Sequence, residues 1–407
     1  MSRATGNDDT RRHCMVVHAY YPDRETRVQR EAAALLERGH AVDVICLRNA
    51  DEPPRDEHDG VHIRRLPVGR HRGHGFAVQL FEYLAFFALA AATLSALHLR
   101  NRYDVVQVHN LPDFLVFAAL VPKLTGTPVL LDLHDLMPEF LATRRGVGPN
   151  SASVRVTAWQ ERMSCWFADH VITVTDSWKR TLIERGVEPE KISVVMNVAD
   201  AQIFHPAPHA HTANGQDQGF HVFYHGTLTE RYGIDLLLDA IALARAELPD
   251  MRVTLLGTGD AIDDLIAQRR ALGLEDLVTI TSTAVDVTEL AALIRGADVG
   301  VVPNRADPFT DGILPTKLME YVSVGIPVIA ARTTAISSYF DDTMVEFFEP
   351  GDREGLAAAL TKLAADPPRR RRMVDAAEQF VRTYDSTAVA AQYVDVVEAA
   401  SARSGHS

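Results

Sequence analysis

The stretch PNRADPFTDGILPTKLMEYVSVGIPVIAAR, from Pro303 to Arg332, carries the residue types that chemistry on an anion needs. Pro315 suits the first helical position and Gly325 the C′ position, so the spacing predicts a helix over 315–323. The apolar run PVIAA behind it reads as a buried strand. Thr316 and Lys317 fall in the first turn of that helix. Free backbone N–H groups, the positive end of the helix dipole and the Lys317 ammonium together outline a diphosphate site. Glu320 comes five residues after Pro315, roughly 7.5 Å along the axis, a span similar to that from a nucleotide's diphosphate to its ribose. A carboxylate there accepts two hydroxyls. The competing reading is an ordinary amphipathic helix with Lys317 and Glu320 as an i,i+3 surface pair.

In open parallel sheets ligands bind beyond the carboxyl ends of the strands. Three apolar runs, CMVVH, DVVQVH and PVLLDLH, end on His18, His109 and His134. If those strands are neighbours the side chains converge on one crevice; otherwise each is a local hydrogen-bonding residue. They show no carboxylate or thiolate company typical of a metal cage, so no metal is expected. Asp135, Pro138 and Glu139 follow His134 as the densest polar cluster at any strand end. In the second half one run leads into HGTLTERYG, where Gly226 permits close backbone approach beside Thr227 and Arg231 can clamp phosphate oxygens. This fits neither the dinucleotide G-x-G-x-x-G pattern nor Walker A. Gly257 and Gly259 flank another strand-end turn, either a passage under a base or sugar or a plain tight turn. A nucleotide would lie with its diphosphate between Arg231 and Lys317 and its ribose on Glu320, its reactive end toward the histidines of the first half, where a cleft between domains favours proximity and dryness.

The elements that must position these residues alternate. Residues 1–12 read as a disordered tail. From Cys14 a strand, an amphipathic helix ending at Gly39 and the strand AVDVICL make a βαβ unit. Asp51–His58 reads as a charged loop, and GVHIRRLPV as a further strand. Residues 13–205 form a first α/β domain, 206–218 a linker rich in Pro, His, Gly and Asn, and 219–383 a second α/β domain. Residues 384–407 supply a helix that packs back across the first half, plus a tail. The fold class is α/β, with two doubly wound Rossmann-like halves.

From Phe76 to Leu97 only Glu82 is charged, and the uncharged part is short for a bilayer span. Arg64, Arg65, Arg70 and Arg72 before it, with Arg100 and Arg102 after, suit a helix lying on an anionic membrane surface. The other reading is a buried helix of the first domain. The net charge of −13 argues against a general nucleic-acid binder. Cys14, Cys46 and Cys165 are far apart and lack metal-ligand spacing, which suits reduced cysteines in a cytoplasmic protein. The N-terminus has no apolar h-region, so no signal peptide is expected.

The phrases HGTLTERYGIDLLLDAI, GADVGVVPN followed by LPTKLMEYVSVGIPVIA, and LLDLHDLMPE resemble the GT-B glycosyltransferases of retaining family 4. RGHAVDVI and GVEPEKISVVMNVAD support the likeness. The resemblance implies two Rossmann-like domains facing a cleft, a nucleotide-sugar donor (a UDP-sugar for preference), no essential metal or other cofactor, and hexosyl transfer with retention. It implies that Arg231 and Lys317 bind the diphosphate and stabilise the leaving group. Glu320 matches the second glutamate of the family's E-x7-E motif, and His134 lies near the transferred sugar. The first glutamate falls at Gly312, so its sugar contact must come from Asp311 or from backbone at Ile313 and Leu314. The usual GR…K pair of the donor loop is GT…RY, and DRETRV replaces the glycine pair of the first loop. The set is similar to a branch acting in bacterial surface-polysaccharide assembly on lipid-linked acceptors, with residues 76–97 in the position of its membrane-docking segment. That places the expected enzyme at the inner face of the cell membrane, acting on a glycan, lipid-linked or small-molecule acceptor. The alternatives are a nucleotide-sugar 2-epimerase of the same fold and a catalytically silent partner subunit.

Overall fold

The computed structural model describes residues 10–23, 25–70, 76–206, 219–283 and 285–403. The chain forms two compact units, one of residues 1–196 with 389–407 and one of residues 197–388. The expected tail over 1–12 and the linker over 206–218 fall almost wholly outside the described residues, as does Arg72.

Apolar runs bounded by turn residues become strands buried on both faces, the pattern of a parallel sheet covered by helices. In the first unit these are β1 (Arg12–Tyr20), α1 (Thr26–Glu37), β2 (Ala41–Leu47), β3 (Arg55–His58), β4 (Val61–Leu66), α2 (Phe76–Asn101) and β5 (Val105–His109). A 3₁₀ segment (Asp113–Ala119) then runs into α3 (Leu120–Leu124), followed by β6 (Val129–Leu133), α4 (Met137–Arg145), α5 (Ala152–Phe167), β7 (His170–Thr173), α6 (Asp176–Glu184) and β8 (Ile192–Val194). The strand order is β3-β4-β2-β1-β5-β6-β7-β8. All neighbours are parallel except β3, which pairs antiparallel with β4. The charged segment expected as a loop is thus an edge strand. Its residues are exposed, and Asp59 and Gly60 turn it back at φ 48° and 82°. Charge on an edge strand discourages pairing with another sheet, which is why no apolar alternation marked it.

The second unit contains β9 (His221–His225), a 3₁₀ turn (Glu230–Tyr232), α7 (Ile234–Ala244), β10 (Arg252–Leu256), α8 (Ile262–Ala271), β11 (Val278–Thr281), α9 (Val287–Arg295) and β12 (Val299–Val302). After these come α10 (Thr316–Val324), β13 (Val328–Ala331), α11 (Thr334–Tyr339), β14 (Glu346–Phe348), α12 (Arg353–Ala365) and α13 (Pro367–Thr383). Its six strands, ordered β11-β10-β9-β12-β13-β14, are parallel throughout. The short β14 has no counterpart in the sequence reading, because three residues leave no periodicity to detect. The last helix, α14 (Ser386–Arg403), joins the first unit, where the Tyr393 hydroxyl donates to Gln107 Oε1 of β5 at 2.6 Å.

Helix α2 extends to Asn101, four residues beyond the expected end, and with an 18-residue window of mean hydropathy 1.8 it is, by length and composition, long and apolar enough to cross a membrane. Glu82, Phe86, Ala90, Leu94 and His98, spaced four apart, are buried against the first unit. Phe81, Leu84 and Leu99 on the other faces are 73%, 50% and 62% exposed. The helix is therefore neither wholly buried nor free of the sheet.

Candidate functional site

Helix α10 begins at Thr316, one residue later than the spacing predicts, with Pro315 as N-cap at φ −66°, ψ 131°. Gly325 ends it in the left-handed region at φ 82°. A proline N-cap has no side-chain oxygen to give, so no side chain closes the first turn, and the amides of Thr316 and Lys317 have no protein acceptor among the described residues. The Lys317 side chain is buried, with Nζ 3.2 Å from the Tyr224 hydroxyl and 4.6 and 4.7 Å from the ring centroids of Tyr224 and Tyr232. Among the described residues no carboxylate comes within ion-pair distance of it. Burial lowers its pKa to about 8, with Glu320 pulling the other way. A cation held in an aromatic box and short of a counter-ion is a ready receptor for an anion arriving at the helix start.

Gly226 makes room for that lysine. Its φ is +120°, and a Cβ there would sit 3.1 Å from Lys317 Cε. Gly257 and Gly259 are required by the packing of strand-end loops: a Cβ at either would meet the carbonyl oxygen of Gly226 at 1.7 Å or of Leu228 at 1.9 Å. Thr227 and Thr316 are exposed, Ile313 is half-buried and Leu314 is buried. Glu320 Oε2 stands 3.0 Å from His225 Nε2, a partner the sequence reading passed over although His225 ends β9 just before Gly226. Arg231 is half-buried on the 3₁₀ turn with its guanidinium 5.9 Å from the Phe309 ring. It is the next residue, Tyr232, that covers the Lys317 ammonium. The Asp311 carboxylate is engaged elsewhere, its Oδ1 accepting from Thr334 N at 2.8 Å at the start of α11. That hydrogen bond competes with any use of Asp311 as a substitute for the glutamate absent at Gly312.

In the first unit β1, β5 and β6 are neighbours, as convergence of the three histidines requires. Only two of them meet. His109 Nδ1 lies 3.2 Å from His134 Nε2, whereas His18 turns to α2, with Nε2 3.2 Å from Glu82 and its ring edge-on to Tyr83 and Phe86. Burial drives the His18 pKa down to about 3, so it stays neutral, and the lone acid of α2 is its buried partner. The carboxylate company absent from the sequence reading is present. Asp132 Oδ2 stands 3.2 Å from both His109 Nδ1 and His134 Nε2. These three residues offer ligand atoms within 4.8 Å of one another. Arg27 takes both Asp132 oxygens, at 2.9 and 3.0 Å, so a guanidinium already holds the charge that a metal ion would need. Asn110 binds the turn after β6, its Oδ1 accepting from His134 N at 2.9 Å and its Nδ2 donating to the Asp135 carbonyl at 2.6 Å. Asp132 lies inside an apolar strand and Arg27 inside an amphipathic helix, which is why spacing gave no sign of either.

Two parallel α/β units of this kind are the GT-B architecture. The sucrose-phosphate synthase of Thermosynechococcus elongatus matches with a TM-score of 0.75 at 21% identity, over 95% of this chain and 98% of that one. The Anabaena protein Alr3699/HepE, solved in complex with UDP-glucose, matches with a TM-score of 0.71 at 17% identity, over 96% and 100%. In sequence, the glycosyl transferase 4-like domain profile matches residues 25–197 and the glycosyl transferases group 1 profile residues 219–366. A D-inositol 3-phosphate glycosyltransferase of an Arthrobacter species is 30% identical over 84% of this chain and 81% of its own. The chain belongs to the group 1, family 4 glycosyltransferases, and is an enzyme of sugar transfer from a sugar nucleotide.

Proposed function

We propose that the donor is a UDP-sugar, that its sugar is transferred with retention and without a metal ion, and that the acceptor is a hydroxyl on a lipid-linked glycan at the inner face of the cell membrane. The observation that carries the donor reading is the open first turn of α10 with buried Lys317 at its mouth. The diphosphate takes the free amides and the ammonium, and Glu320 accepts the ribose hydroxyls one turn further along. As the bond to the anomeric carbon breaks, charge grows on the leaving diphosphate, where Lys317, the helix start and Arg231 stabilise it. With no side chain assigned as covalent nucleophile, the acceptor hydroxyl attacks from the face the leaving group departs, through an oxocarbenium-like ion pair, and passes its proton to the departing diphosphate oxygen. His134 stands on the acceptor side. UDP is favoured because HepE, alike in fold, was solved with UDP-glucose.

The membrane reading is supported by more than α2. Helix α3, which packs on α2, and α5, which packs with α2 on the same 3₁₀ segment, carry Leu124, Trp159 and Trp166 at 77%, 64% and 72% exposure. The exposed residues of α5 are Ala152, Arg155, Val156, Trp159, Arg162 and Trp166, two cations and no acid in a chain of net charge −13. Tryptophan and arginine on one apolar face suit the interface of an anionic bilayer. Of the expected basic flank, however, Arg65 is taken by Glu52 and Asp56.

The deciding experiment is a thermal-shift screen of UDP-, GDP- and ADP-sugars followed by transfer assays. A UDP-sugar should raise Tm, and Lys317→Ala and Arg231→Ala should each cut transfer well beyond a fewfold. Stabilisation by GDP-sugars alone refutes the base, and turnover of donor without acceptor points to an epimerase. Unchanged transfer after EDTA dialysis is the outcome expected of a metal-free reaction.

A further inference from the structure

Beneath the His109–His134 pair lies a buried ionic network to which the transfer step gives no role. Asp132 is fully buried in β6, gripped by Arg27 through Nε to Oδ2 at 2.9 Å and Nη2 to Oδ1 at 3.0 Å. Arg27 also reaches Glu31 Oε1, 3.1 Å away on the next turn of α1, and donates to the Val195 carbonyl at 2.9 Å. Gln107 of β5 closes the other side, its Nε2 donating to Glu31 Oε2 at 2.7 Å and its Oε1 accepting the Tyr393 hydroxyl of α14 at 2.6 Å. The network runs from the terminal helix, through β5 and β6, to His134, whose side chain is 18% exposed.

The charges define its state. Two buried carboxylates face one guanidinium, and burial penalises the second negative charge, so one carboxyl keeps its proton. Burial and the neighbouring Asp132 push Glu31 well above the usual carboxylate range. Burial also works against ionised Asp132, but Arg27 and the two histidines outweigh it and hold its carboxyl well below that range. An ionised carboxylate only accepts, so a ring nitrogen 3.2 Å from it must carry hydrogen. Asp132 Oδ2 can accept from both His109 Nδ1 and His134 Nε2, and a bond to the charged oxygen is stronger than a neutral bond between rings, so both nitrogens turn an N–H to it. His134 is therefore protonated on Nε2. Its Nδ1 has no protein hydrogen-bond partner among the described residues, and in the neutral ring that nitrogen is an acceptor.

We infer that Asp132 is a positioning residue for sugar transfer: it fixes His134 with Nε2–H inward, so that Nδ1 accepts a hydrogen bond from a substrate hydroxyl. Tyr393 of the terminal helix holds Gln107, and through it the network, in register. The Tyr393 hydroxyl gives Gln107 Oε1 a buried partner, leaving Nε2 for Glu31 and Asp132; without it that carbonyl oxygen loses its partner. This rests on the acceptor-side role of His134 proposed above.

The first test needs no substrate. Nitrogen-15 histidine labelling of the full chain, with His134 assigned by His134→Gln, reads the tautomer directly by long-range proton–nitrogen correlation at pH 7.5. The Nε2–H form is expected, and an Nδ1–H form overturns the inference. In the second test, Asp132→Asn should lose at least tenfold in kcat and Tyr393→Phe a fewfold, both with the Kd for the donor unchanged. A kcat for Asp132→Asn within twofold of wild type also overturns it, and if that variant does not fold the wild-type tautomer decides alone. Failure of the protein to bind any nucleotide sugar would sink the functional reading while leaving the tautomer result intact.

Discussion

Lys317 shows how a single side chain can be tuned by what surrounds it. Burial disfavours the ammonium, and the Tyr224 and Tyr232 rings return only part of the lost hydration, leaving a pKa of about 8. The sign follows directly: the charged form, which the proposed diphosphate contact requires, is present below pH 8 and is lost above it. Donor affinity measured calorimetrically should be nearly flat from pH 6 to 7.5 and then weaken, approaching about tenfold per pH unit beyond 8. Lys317→Ala should lower kcat by about 10²- to 10³-fold, the scale of removing one donor to a developing oxyanion, and abolish that pH dependence. A variant that retains the alkaline limb would move the titration to another group.

At the scale of elements, the two glycines beside α10, Gly325 at its end and Gly226 against Lys317, serve different purposes. Gly325 at φ 82° has only ordinary contacts around an added Cβ, the nearest atom lying at 3.6 Å. Gly325→Ala should therefore cost about 1 kcal/mol in urea unfolding and leave kcat alone. Gly226→Ala meets Lys317 Cε at 3.1 Å as well as the positive φ. It should cost a similar or larger amount, roughly 1–3 kcal/mol, and also weaken donor binding, because the ammonium must move. On the first unit, Trp159 and Trp166 are exposed whereas Trp178 is 2% exposed. Tryptophan emission should shift blue and be quenched by brominated anionic lipids, and Trp159→Ser with Trp166→Ser should remove the response; equal quenching by neutral vesicles in high salt would refute the charge argument.

For the whole molecule, buried carboxylates of the first unit set how stability depends on pH. Arg185 bridges Glu139 and Glu161, and Asp113 lies fully buried nearby. Burial raises Asp113 to about 7 and Glu161 to about 8. Acids with raised folded-state values ionise first in the unfolded chain, so their stabilising share is complete below about pH 4 and is lost as pH rises through 7 to 8. Urea midpoints should fall across that range, and Glu161→Gln should flatten the decline. An unchanged slope in that variant would show that Glu161 is ionised in the folded protein.

Much of this was legible from residues alone. Parallel strands covered on both faces are largely apolar, so AVDVICL, PVLLDLH and DVGVVPN announce themselves, and Pro315 and Gly325 bracket α10 because backbone geometry at helix ends selects those residue types. The resemblance carried by LPTKLMEYVSVGIPVIA and HGTLTERYG gave the family. What the chain order could not supply was partnership across the sheet. His109 and His134 meet because β5 and β6 are adjacent, while His18 is drawn to Glu82 by a helix far along the chain from β1. Arg27, Asp132 and Tyr393 come from three distant segments, and His225 faces Glu320 only after β9 and α10 pack. Local sequence determines elements through propensity and burial pattern; the protonation and orientation of a side chain depend on charges that only the tertiary fold brings within a few ångströms.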